Sequence, residues 1–261
     1  MVVTAPTRAV DAPLALADRF DDADPLDLAA LARLSPALVV APHPDDESLG
    51  CGGLLALLGD AGVEVQVVLV TDGTASHPNS RRFDADARRI LRDGEWRAAL
   101  ACLGLGACAT HRLGCPDGSA PVPGDPRFAC VQGDMRALLD AIDPQLVLLP
   151  WRRDPHPDHR ASHALVRAAL AGRTRSPRCL EYVVWAGERG AADDLPALHE
   201  ARRWRLDISA ARDRKCRAIV SHRSQNGEVI TDDPSGFALS PEMRRRAEGP
   251  REHFFETDDR A

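Results

Sequence analysis

Three apolar runs, each closing on a cluster of ionisable groups, constrain the fold more than any other feature. Residues 37–41 read ALVVA and run into PHPDDE, residues 63–73 read VEVQVVLVTDG, and residues 145–151 read QLVLLPW before RRDPHPDHR. Strands that are continuously apolar and rich in β-branched residues are those of a parallel sheet covered on both faces. Helical stretches separate them, at about 49–58, 84–103, 129–142, 159–171 and 210–221. A short strand and then a turn are expected within 109–118, a further strand at 179–186 and an edge strand at 203–209. Strand–helix alternation of this kind specifies an α/β fold, a Rossmann-like three-layer sandwich with a mostly parallel sheet. Residues 1–261 read as a single domain, with 1–36 a lead-in carrying weak helical patterning and 226–261 a less regular C-terminal tail.

In such a sheet, ligands bind beyond the C-terminal ends of the strands. All three polar clusters fall there, so segments distant in sequence converge on one site. His43 and Asp46, three apart at a strand-to-helix turn, can aim both side chains at one point. His159 completes a set of two histidines and one carboxylate, which suits a catalytic Zn2+ with a position left for water. Asp45 then points elsewhere and is placed to take a proton from that water. His156, three before His159, is a candidate to stabilise an oxyanion in its protonated form, with Asp158 orienting it. Cys51 lies near these groups, but between glycines it reads as a small packing residue.

Composition removes several function classes. The net charge of −6 is mild and spread out, and no basic block is interleaved with aromatics, so nucleic acid is not an expected partner. No apolar run approaches the ~20 residues of a membrane helix, and the first twenty residues lack the pattern of a secretory signal. Seven cysteines form no CxxC pair and read as reduced thiols. The expectation is a cytoplasmic protein acting on a small molecule. A nucleotide-binding Rossmann domain is disfavoured because no GxGxxG follows the first strand.

APHPDDE after a first strand, with HPDH downstream, resembles the PIG-L/LmbE-like zinc de-N-acetylases. VTDG at 70–73, RDGEWRAALACLG at 92–104, LGCPDG at 113–118 and KCRAIVSHRSQ at 215–225 extend the likeness over about residues 37–225. The resemblance implies zinc on His43, Asp46 and His159, Asp45 as general base, and His156 supported by Asp158 at the oxyanion. It also implies that Arg92 and Asp117 contact the sugar or its attached group. Two plainer alternatives stay open: Arg92 pairing with Glu95 on its own helix, and Asp117 serving a turn. His77, His222 and Gln225 receive no role, and Glu47 is either a support behind the site or a helix cap. The implied reaction is removal of acetyl from an N-acetylamino sugar or its conjugate. The rivals are an amidase for larger acyl or thiol-conjugate amides and a non-catalytic zinc- or sugar-binding relative. Zn2+ and Fe2+ both remain open, as does the oligomeric state.

Overall fold

A computed structural model describes residues 22–186, 188, 194–196 and 200–257. Its strands are β1 (Asp24–Pro25), β2 (Ala37–Ala41), β3 (Val65–Thr71), β4 (Thr110–Cys115), β5 (Leu146–Pro150), β6 (Arg178–Tyr182), β7 (Arg202–Asp207) and β8 (Arg251–Glu256). They form one sheet in the order β1-β7-β8-β6-β5-β2-β3-β4. Every pairing is parallel except those of β8 with β6 and β7. The helices are α1 (Leu28–Leu31), α2 (Asp46–Asp60), α3 (Ala85–Cys102), α4 (Phe128–Ile142), α5 (Pro157–Leu170), α6 (Arg212–Ser221) and α7 (Pro241–Ala247).

The continuous apolar runs become strands covered on both sides. Along β2, Ala37, Val39 and Ala41 face one core with Leu54, Leu58, Trp96 and Leu100, while Leu38 and Val40 face another with Met135, Leu139, Leu165 and Val166. Alternation along a pleated strand thus feeds two apolar layers, one toward α2, α3 and α6 and one toward α4 and α5.

The sheet also shows why the site forms where it does. From β2 the chain steps to β3 and β4 on one side, then returns to place β5 and β6 on the other. Strand order therefore reverses between β2 and β5, which opens a crevice beyond their C-terminal ends. His43 follows β2, and His156 and His159 follow β5.

Two expectations need correction. The tail is not irregular throughout: Pro241–Ala247 is helical, and β8 lies inside the sheet between β6 and β7. Its single short run, REHFFE, carries too little period to announce a strand. The segment read as an edge strand is flanked on both sides, by β8 and by the two-residue β1.

β8 also braces α2. That helix breaks at Cys51 (φ −145°, ψ 18°), and Glu252 fills the break by accepting from Gly53 N at 2.7 Å and Leu54 N at 2.8 Å. Lys215 Nζ, 2.7 Å away, neutralises it. Gly50 and Gly53 of SLGCGG are needed for close approach. A Cβ at Gly50 would stand 2.2 Å from Tyr182, and one at Gly53 would stand 2.6 Å from Ile208. Cys51 is fully buried in this core, the packing role expected of it.

Candidate active site

Each polar cluster occupies the turn between a strand and the next helix. After β2, Pro42 O accepts from Thr71 N at 3.0 Å and Thr71 Oγ1 at 2.8 Å, tying the turn to the end of β3. After β5, α5 opens with His156 as N-cap and Pro157 in the first turn, where a missing N–H costs nothing. The His156 Nδ1 accepts from Asp158 N at 3.2 Å.

At the centre is Asp46 Oδ2, 3.1 Å from His43 Nδ1 and 3.2 Å from His159 Nε2. The far nitrogen of each ring is backed by acid. His43 Nε2 lies 3.1 Å from both Asp158 Oδ2 and Asp117 Oδ1, and His159 Nδ1 lies 3.3 Å from Asp154 Oδ1. Imidazoles that ligate a metal are held in this way, one nitrogen forward and the other on a carboxylate. Neither nitrogen of His159 makes a well-aligned hydrogen bond, although the ring is fully buried.

The electrostatics call for positive charge here. Burial alone would discharge His159, yet Asp46 and Asp154 outweigh it and raise the ring to about 9. His43 is likewise raised against burial by Asp117, Asp158 and Asp46. Burial pushes the Asp46 carboxyl up, but the two histidines hold it well below the usual carboxylate range. Among the described residues, two sets bring ligand atoms within 4.8 Å of one another: His43, His156 and His159, and His43, Asp117 and Asp158. This concentration of imidazole and carboxylate is a divalent-cation site, and the residues present fit such an ion.

Asp45 stands apart from its neighbour. It is buried, its Oδ2 lies 3.2 Å from Arg92 Nη2, and burial pushes its carboxyl up to about 7 against the pull of Arg92. Arg92 also donates to Gly73 O at 2.9 Å and to Pro44 O at 3.0 Å. Glu95, the alternative partner of Arg92, instead accepts from Ser224 N at 2.7 Å and Ser224 Oγ at 2.6 Å. Asp117 sits in its Pro-Asp-Gly turn, holds Ala75 N at 2.8 Å and reaches His43, so turn and site roles coincide.

One sequence-based contact changes. The Asp158 carboxylate does not orient His156; it accepts from Gly118 N at 2.7 Å and Ala120 N at 3.0 Å and turns to His43. His156, which accepts at Nδ1 from Asp158 N, lies against the His43 and His159 rings. Burial, then the nearby His43 and His159 rings, push it down to about 4. With Nδ1 accepting, a neutral ring carries its proton on Nε2.

A cavity of 220 Å³ covers these groups. Its polar floor is His43, Asp45, Asp46, Arg92, Asp117 and His156, and its wall is Leu49, Val184, Trp185, Phe237 and Met243. Trp185 lies 5.8 Å from the His156 ring and 5.4 Å from Phe237, centroid to centroid. Gln225 also lines the cavity, its Nε2 bound to Ser224 Oγ at 2.8 Å. His222 is buried behind the site, 3.4 Å from Ser48 Oγ, and His77 is buried against Gly236. Glu47 is buried, accepts from Ser48 Oγ at 2.7 Å, and is pushed up to about 8 by burial, so it lies behind the site rather than at the surface.

Sequence reasoning missed the wall and Asp154. Trp185 ends a predicted strand, so the rule of converging strand ends could have found it. Phe237 lies in a stretch without period and gave no signal.

Fold and site together set a candidate divalent-cation centre beside a buried carboxyl in the crevice of a mostly parallel α/β sheet. The family described as PIG-L, GlcNAc-PI de-N-acetylase, matches residues 38–170. A 1D-myo-inositol 2-acetamido-2-deoxy-alpha-D-glucopyranoside deacetylase of Actinosynnema mirum is 31% identical, over 83% of this chain and 90% of its own length. A 2'-N-acetylparomamine deacetylase of Streptomyces fradiae is 30% identical, over 82% and 81%. The N,N'-diacetylchitobiose deacetylase of Pyrococcus horikoshii shares the fold with a TM-score of 0.58 at 24% identity, over 81% of this chain and 74% of that one. The chain belongs to the PIG-L de-N-acetylase family, and its chemistry is hydrolysis of an N-acetyl group.

Proposed function

We propose that the chain removes acetyl from an N-acetylamino sugar conjugate, with His43, Asp46 and His159 holding Zn2+ and Asp45 moving the proton. One observation carries the reading: Asp46 Oδ2 stands 3.1 Å from His43 Nδ1 and 3.2 Å from His159 Nε2, and each ring is backed by acid. Two histidines and one carboxylate are a ligand set of hydrolytic zinc sites. The chemistry such an ion supplies when bound is polarisation of the acetyl carbonyl and acidification of a water.

The remaining work falls to the chain. Asp45, buried and raised toward neutrality, accepts the proton of the attacking water. His156 offers its Nε2–H to the oxygen that becomes negative. As the C–N bond breaks, Asp45 passes its proton to the departing nitrogen, because an amine anion is far too basic to leave. Acetate and the free amine result. Arg92 fixes Asp45, and the wall of Leu49, Trp185, Phe237 and Met243 suits the apolar face of a sugar ring.

The inositol and paromamine conjugates of the two relatives favour an amino sugar joined to a second ring over free N-acetylglucosamine. Seven free thiols and the lack of a described helix able to cross a membrane support a small-molecule reaction in the cytoplasm.

Two substitutions test the assignment. Asp45→Asn keeps zinc and fold but loses at least ~100-fold in turnover, whereas His159→Ala loses zinc, read by metal analysis after dialysis. Wild-type turnover in Asp45→Asn contradicts the base assignment, and native zinc content in His159→Ala contradicts the ligand set.

A further inference from the structure

We propose that Asp154 is a positioning residue that couples cation binding to the order of the substrate wall, holding His159 with one carboxylate oxygen and the Trp185 loop with the other. The inference rests on His159 holding the cation.

Asp154 is completely buried, and the described partners of its carboxylate are nitrogens. Oδ1 accepts from His156 N at 3.1 Å and stands 3.3 Å from His159 Nδ1. Oδ2 accepts from Trp185 N at 2.9 Å and from Val184 N at 3.2 Å. With a cation on Nε2, the nitrogen that faces Asp46, the hydrogen of the His159 ring would be on Nδ1, toward Asp154. The four partners come from two separate places, the α5 start and the segment leaving β6. One side chain therefore ties a histidine of the floor to the aromatic wall. The same segment stacks Trp185 on His156 and Phe237.

Chemistry makes the carboxylate hard to replace. An amide has one accepting oxygen and one donating nitrogen. In Asp154→Asn, either His156 N and His159 Nδ1, or Val184 N and Trp185 N, must face an NH2 group. A cation seated on His159 would fix the ring in place, and Asp154 would carry that constraint from Oδ1 to the Oδ2 that anchors Val184 and Trp185. Cation binding and the order of the wall are thereby linked.

The experiment uses the full chain and zinc alone. Chelator competition on Asp154→Asn is expected to show a zinc dissociation constant raised ~10–100-fold, the usual cost of removing the acid behind a ligating histidine. In the wild type, amide hydrogen exchange at Val184 and Trp185 is expected to slow when zinc is added, and in Asp154→Asn this slowing is lost. A variant with a lowered melting temperature but wild-type zinc affinity would show a merely structural role and overturn the proposal. So would equal exchange at both amides with and without zinc, a readout that needs no variant to fold. His159→Ala separates the two readings: if it binds zinc natively, the ligand assignment fails, and if it loses zinc while Asp154→Asn does not, only the coupling fails.

Discussion

Asp45 sits at φ 152°, ψ −24°, a backbone conformation that residues with a Cβ rarely adopt. Holding it costs about 1–3 kcal/mol and needs support from the surroundings. Arg92 provides it by gripping Pro44 O and the Asp45 carboxylate together. The strained turn sends two adjacent carboxylates in different directions. Asp46 goes to the histidines and is held acidic, while Asp45 goes to Arg92 and is raised by burial. A base works ionised, so activity rises with pH through its pKa. Arg92→Met removes the neighbouring cation, disfavours the Asp45 carboxylate, and is expected to move the acid limb of kcat/KM to higher pH by roughly one unit or more. An unmoved limb would mean that Arg92 does not tune the base. His43, Asp46 and His159 were legible from spacing and strand ends. The partners of Arg92 and Asp158 were not, because backbone carbonyls and a turned helix start belong to tertiary structure. HPDH puts Asp158 two residues after His156 in sequence, but the first turn of α5 aims its carboxylate at His43.

At the scale of elements, α2 carries the site at one end and a break at its middle. The break at Cys51 frees the N–H groups of Gly53 and Leu54, which Glu252 collects with Lys215 as its counter-ion. The last strand thereby stabilises the helix that begins at Asp46. Glu252→Ala leaves a buried ammonium and two unpaired N–H groups, and is expected to cost about 3–5 kcal/mol in urea unfolding. A loss below about 1 kcal/mol would show that the pair contributes little. The parallel strands and their helices were readable because continuous β-branched runs alternate with helical periods. β8 was not, since its contribution is one antiparallel insertion that only the folded sheet reveals. Sequence showed the lone lysine, but its partner lies 37 residues away on another element.

At the scale of the molecule, the reversal of strand order between β2 and β5 makes the crevice, and the turns after those strands supply the floor. The segment after β6 and residues near 237 supply the wall. The chain belongs to the PIG-L de-N-acetylase family, and the floor groups are those to which the proposed function gives the chemistry. The decisive measurement follows free amine and acetate together when zinc-loaded protein meets a panel of N-acetylglucosamine conjugates. The account predicts equal amounts of both products from at least one conjugate, loss of turnover on chelation, and its return with added zinc in the wild type but not in His159→Ala. Undiminished turnover in protein stripped of metal would contradict it.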